Sequence, residues 1–145
     1  MTVRTWFTLS AVVVIALFGA VALKLTAPVN APTIVARSGE IRLHGRRISA
    51  CWPNGSGKEK CTGAENTSPD VATLARRGTL RVVVAYPLQP KQGYIEVRSG
   101  DRVVFKHPWN ENTTYDVSSG TYELIAYAKY AKNSHLEYAF GFRVR

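Results

Sequence analysis

Leu136-Glu137-Tyr138-Ala139-Phe140-Gly141-Phe142-Arg143-Val144-Arg145 decides the fold. Leu136, Tyr138, Phe140, Phe142 and Val144 fall on alternate positions, while Glu137, Ala139, Gly141, Arg143 and Arg145 fill the others. A period of two is the signature of a β-strand that buries one face. The same period recurs upstream. Thr121 to Lys129 reads as a strand entered from the turn Ser118-Ser119-Gly120. Arg102 to Lys106 and Tyr94 to Arg98 alternate around the tight turn Ser99-Gly100-Asp101, with Ile95 and Val97 on one face and Val103 and Phe105 on the other strand's matching face. Tyr115 to Val117 is a short strand, and Thr79 to Tyr86 is rich in valine. Nearer the N-terminus, Ile41 and Leu43 alternate with Glu40 and Arg42, and Ile48 and Ala50 lead into a cysteine-bearing loop. Val71 to Arg77 reads differently, as one or two helical turns stopped by Gly78.

Seven or eight short strands separated by turn residues predict a mainly β domain, a single antiparallel β-sandwich, with a small barrel as the alternative. A sheet with one apolar face must cover it, and a second sheet is the simplest cover where helices are few.

At the other end of the chain, Trp6 to Leu23 is apolar without interruption, behind Arg4 and ahead of Lys24. Its 18 residues would span roughly 27 Å as a helix, near the thickness of a bilayer's hydrocarbon core. The reading is an N-terminal hydrophobic helix over 1–27, either a signal-anchor or a signal peptide with Ala20-Val21-Ala22 as cleavage site. A core helix would show a polar stripe, which this run lacks. Phe7-Thr8-Leu9 is similar to the start of a type IV pilin, but that family needs Gly before the Phe and Glu at the fifth mature position, where Trp6 and Ala11 stand. No Cys closes the run, so the bacterial lipoprotein pattern is absent. Two prolines in Ala27 to Pro32 make 28–39 a stiff spacer, leaving 40–145 as the domain.

The only two cysteines, Cys51 and Cys61, flank a Gly/Pro/Asn-rich segment and predict a disulfide rather than two free thiols. Two cysteines without neighbouring ligands do not complete a zinc site. The positive-inside rule weakly favours a cytoplasmic domain; the cysteines favour an extracytoplasmic one. They carry more weight, so the expectation is a single-pass membrane protein with its domain outside, or a secreted or periplasmic domain if the leader is removed.

Nineteen Lys and Arg against ten Asp and Glu give a formal charge of +9. That suits an anionic surface or polymer, or plain solubility. The cations form two loose groups, Arg37, Arg42, Arg46, Arg47 and Arg76, Arg77, Arg81, without the interleaved aromatics of a single-strand nucleic-acid groove; no specific nucleic acid is expected. Chemistry is sparse. His44, His107 and His135 form no metal-binding spacing, and no nucleophile elbow, P-loop or dinucleotide fingerprint occurs. Asp101, Glu111 and Asp116 sit on or near turns, where carboxylates cap and hydrate or gather for acid–base work. No catalytic residue, cofactor or metal is therefore assigned. The candidate contact residues are Trp52 in the cysteine loop, His107 and Trp109 in a polar turn, Tyr127 opposite the core face of its strand, and Arg42, Arg46 and Arg47. Asn54, Asn66 and Asn112 head glycosylation sequons in expected loops.

Val117-Ser118-Ser119-Gly120-Thr121-Tyr122-Glu123-Leu124 resembles the V-x-x-G-x-Y-x-L strand entry of transthyretin-like, carboxypeptidase-regulatory-like and other immunoglobulin-like sandwich modules. The resemblance implies an accessory or binding module, usually without catalysis. The expected function is an exported, membrane-tethered binding or structural module acting through loops on a protein, envelope polymer or anionic surface. The alternatives are a small secreted hydrolase with a carboxylate or His centre, and a subunit of an envelope assembly joined by strand addition.

Overall fold

The computed structural model describes residues 30–145 apart from Pro69 and Lys132. The apolar run from Trp6 to Leu23 lies outside the described residues. Among the described residues no helix is long and apolar enough to cross a membrane. All regular structure there is β, in eleven strands. One sheet runs β2 (Ile41–Leu43), β1 (Ile34–Ser38), β6 (Arg77–Val84), β9 (Asn112–Asp116). The other runs β4 (Glu59–Thr62), β3 (Gly45–Pro53), β11 (His135–Val144), β10 (Gly120–Lys129), β7 (Gln92–Ser99), β8 (Arg102–Pro108). β5 (Ala72–Leu74) joins the second sheet beside β11.

β11 is the axis of the large sheet. It pairs with β10 over ten consecutive positions; on the core face two big residues oppose small ones, Tyr138 with Ala126 and Leu136 with Ala128, while Phe140 opposes Leu124 and Phe142 opposes Tyr122. Leu124, Leu136, Phe140 and Phe142 are almost fully buried, each such side chain stabilising by roughly 1.5–3 kcal/mol. The small sheet covers this face with Ile34, Ala36, Leu43, Leu80, Val82 and Tyr115, and one core cluster joins both sheets. The arrangement is two facing sheets rather than the alternative barrel.

Three expectations are corrected. Val71 to Arg77 is not helical: it supplies β5 and the first residue of β6. Seven residues are too few to hold a helix unaided. β3 occupies the edge of β11 only as far as Phe140, so Ala72–Leu74 pairs with Phe142–Val144 and buries Leu74. That pairing is parallel; the others are antiparallel. The spacer assigned to 28–39 is a strand in its second half, because Ile34 and Ala36 reach the core. Asn112 opens β9 rather than lying in a loop, although its side chain is exposed.

Cys51 and Cys61 are directly opposed on β3 and β4 and form a disulfide, with Cα atoms 4.0 Å apart. Glu59 lies near both sulfurs, but bonded sulfurs offer no thiolate to a metal.

Candidate functional site

His107 lies on β8, paired with Ile95, rather than in the turn expected for it, and the turn that follows, carrying Trp109, bridges the sandwich at one edge. β8 ends the large sheet, β9 ends the small one, and Trp109 to Glu111 crosses between them. Backbone bonds fix the crossing. The Trp109 amide donates to the Gly93 carbonyl at 2.9 Å, and the Val82 amide donates to the Glu111 carbonyl at 2.7 Å. The Asn112 amide donates to Asn110 Oδ1 at 3.1 Å, and Gln89 Nε2 donates to Glu111 Oε1 at 2.6 Å. The result is a cleft of about 350 Å³ lined by His107, Pro108, Trp109, Asn110, Asn112, Thr113 and Thr114.

Thr113 lies on the core face of β9 with Tyr115 and is 4% exposed. Thr113 Oγ1 and Trp109 Nε1 are buried without a protein partner among the described residues. Such atoms cost about 1–3 kcal/mol each unless water or a ligand satisfies them. A cleft lined by an indole, an imidazole, two carboxamides and two threonines suits a small polar ligand or a partner's side chain.

Gly93 supports this edge. Its carbonyl holds Trp109, and a Cβ there would run into the carbonyl oxygen of Tyr127 on β10. Gly→Ala in a strand ordinarily gains about 0.5–1 kcal/mol, but a backbone obstacle cannot swing aside. Gly93→Ala is expected to destabilise by about 1–3 kcal/mol and to shift Trp109 emission; urea melts followed by fluorescence check both.

Tyr127 belongs to a second surface, the outer face of the large sheet. Register places Ser49, Glu137, Tyr127, Tyr94 and Pro108 in one row across β3, β11, β10, β7 and β8. Tyr127 stacks on Tyr94 with centroids 5.2 Å apart and lies 5.8 Å from the His135 ring. Lys106 Nζ stands 3.8 Å above Tyr94, within cation–π range. Ser49 Oγ meets His135 Nε2 at 3.2 Å and donates to Glu137 Oε2 at 3.4 Å. The Tyr94 hydroxyl is pushed up by burial and by Glu137, with Lys106 opposing, so it stays a donor at neutral pH.

Glu96 in the next row is 2% exposed, held by Arg98 and by Lys106 at 3.0 Å. Burial raises its pKa, and the hydrogen bonds from Lys106 and Arg98 outweigh that, leaving it below the ordinary 4.5. A carboxylate with a lowered folded pKa stabilises fully above its unfolded value and loses that stability as pH falls through the folded one. Glu96→Gln should therefore lower Tm at pH 7, with the gap to wild type closing below about pH 4; calorimetry across pH 7 to 3 tests this.

The remaining candidates separate. Trp52 is not a surface contact: it is 8% exposed and packs edge-on against Tyr86 and Tyr130 at 5.1 and 5.3 Å. Its β3 position faces inward because Cys51 faces out. Arg46 and Arg47 are adjacent in a strand and so point to opposite faces. Arg46 binds Glu123 at 3.1 Å; Arg47 binds Glu65 at 3.3 Å. Arg42 lies on β2, lining with His44, Glu65 and Tyr138 a cleft of about 260 Å³ where the sheets part. Arg42, Arg46 and Arg47 therefore do not form one patch. Asp116 binds Arg77 at 2.8 Å, Glu111 binds Gln89, and Asp101 sits in the exposed β7–β8 turn. Asn54 Oδ1 accepts from the Ser56 and Lys58 amides in the β3–β4 turn, and Asn66 lies in the exposed loop after β4.

Sequence reasoning singled out His107, Trp109 and Tyr127 but missed Thr113, Tyr94, Glu96 and Lys106. The alternation Tyr94-Ile95-Glu96-Val97 does put Tyr94 and Glu96 opposite the core face; their partners required the strand order. Comparison with protein-family models, curated proteins and solved structures finds no match.

Proposed function

We propose that the chain is an exported, membrane-tethered, non-catalytic binding module. The run Trp6 to Leu23 acts as tether, or as leader if it is removed, and the sandwich engages a protein, envelope polymer or anionic surface. The observation that carries the reading is the β8–β9 cleft of about 350 Å³, where His107, Trp109, Asn110 and Asn112 converge. A disulfide between β3 and β4 supports an oxidising, extracytoplasmic compartment.

An immunoglobulin-like or transthyretin-like sandwich is the finer fold assignment. It is supported by the turn before β10, where the Tyr122 hydroxyl donates back to the Ser118 carbonyl at 2.8 Å, similar to the tyrosine corner of Greek-key sandwiches.

Strand addition to a partner's sheet is a second reading, with β8 as the joining edge. It ends the large sheet and leaves Val103 and Val104 48% and 36% exposed, as an edge that accepts another strand would. The last strand is not available for this, because β11 already has neighbours on both sides.

Intact mass of native protein extracted from membranes tests the tether and compartment together. A membrane-borne chain lighter by two hydrogens, with no alkylatable thiol, is the expected result. A cytosolic chain with two alkylatable thiols overturns the reading. Photo-crosslinking from position 109, compared with position 60 on β4 at the opposite edge of the large sheet, tests the cleft: equal labelling from both removes it as the contact site.

A further inference from the structure

Arg42, Arg37 and Arg81 stand side by side across the small sheet. Register pairs Arg37 of β1 with Arg42 of β2 on one side and with Arg81 of β6 on the other. Their sequence neighbours Ala36, Leu43, Leu80 and Val82 are buried, so alternation turns all three arginines to the outer face. All are exposed, Arg42 on the edge strand where it also borders the cleft beside His44, and none joins an ion pair among the described residues. Asp116, the carboxylate on β9, is bonded to Arg77 instead, and Glu40 lies beyond the row in the β1–β2 turn. Strands lie about 4.8 Å apart, so three positive charges fall within about 10 Å, roughly one Debye length at 0.1 M salt. Like charges directly opposed across strands destabilise a sheet. The row is therefore a standing repulsion that bound anions would relieve.

We propose that this face docks on an anionic phospholipid bilayer, with Arg37, Arg42 and Arg81 engaging lipid phosphates. Guanidinium forks match phosphate oxygens in bidentate geometry, and a flat sheet face suits a surface better than it suits a single small ligand. Half-buried Val35 and Val83, paired on the same face next to the row, add an apolar strip at its margin. The inference rests on reading Trp6 to Leu23 as a membrane tether. Only residues 24–33 separate that run from β1. Ten residues reach at most about 35 Å, so the face would stay close to the membrane holding the run, where a tether raises effective concentration.

The test uses the full chain with vesicles of phosphatidylcholine alone and of phosphatidylcholine with about one third phosphatidylglycerol. An arginine-selective dicarbonyl is added, and modification is read by peptide mass mapping. The chain is expected to float with both vesicle types. Modification of Arg37, Arg42 and Arg81 should fall about fivefold on the anionic vesicles and recover near 1 M salt, where screening shortens to about 3 Å. Arg143, on the far face of the large sheet, should not change. Equal modification of the three on both vesicle types overturns the docking and leaves the tether standing. Flotation with anionic vesicles alone, with the same protection, keeps the docking and overturns the tether; flotation with neither overturns both. Protection by soluble polyphosphate but not by anionic vesicles overturns the docking in favour of a polymer.

Discussion

Phe142→Ala is expected to lower stability by about 3–5 kcal/mol, the range for emptying a well-packed aromatic site. Phe142 has no exposed surface, stacks on Tyr122 with centroids 5.5 Å apart and lies 6.2 Å from Tyr115 on the opposite sheet. It sits on β11, whose neighbours at that point are β10 and β5, so relaxation into the gap would have to move two paired strands. Close-packed interiors resist such movement. Domains of this size have only about 5–15 kcal/mol of net stability, so the variant stands near the edge of folding at 37 °C. Phe142→Leu keeps most of the volume and should cost less than half as much. Denaturant midpoints with unchanged slope check both. A loss under about 1 kcal/mol for Phe142→Ala would mean that the two sheets do not meet at this residue.

Replacing both cysteines with alanine is expected to cost about 3 kcal/mol. The disulfide links positions ten apart, and in the chain-entropy model a loop this short restricts the unfolded chain by about that amount. The native-state effect is local. Among the described residues β4 has four residues, ends the large sheet and pairs with β3 alone, so without the cross-link its amides should exchange with solvent well before those of β10 and β11. Trp52 follows Cys51 on β3 but is held by Tyr86 and Tyr130, so its fluorescence should persist. Simultaneous loss of β4 protection and of the Trp52 environment would show that the cross-link supports the core rather than the edge.

Much of the fold is legible residue by residue. The ten-residue alternation of β11 and the hairpin turn at Gly100, whose φ is 59°, need only local information. The cysteines are likewise close enough in sequence for their pairing to be expected. Legibility stops where a segment's fate depends on what lies beside it. Ala72–Leu74 reads as part of a helical turn until the edge of β11 beyond β3 becomes available. Trp52 reads as a loop aromatic because Pro53-Asn54-Gly55 follows it, yet β3 runs on through Pro53 and turns the indole inward. Arg46 and Arg47 read as one cluster and lie on opposite faces. Arg42 and Arg81 read as members of two clusters and lie in one row.

By itself the sequence determined the alternation of the longest strands, that strands would dominate, and that the chain would carry excess positive charge, because alternation and composition are properties of neighbouring positions alone. Only the tertiary structure decided which strands became neighbours, and so which side chains came to share a surface: Trp109 and Thr113 in one cleft, Tyr94 and Tyr127 on one face, three arginines on the other. Strand order and register follow from covering every apolar face at once, a condition on the whole chain that no single segment contains.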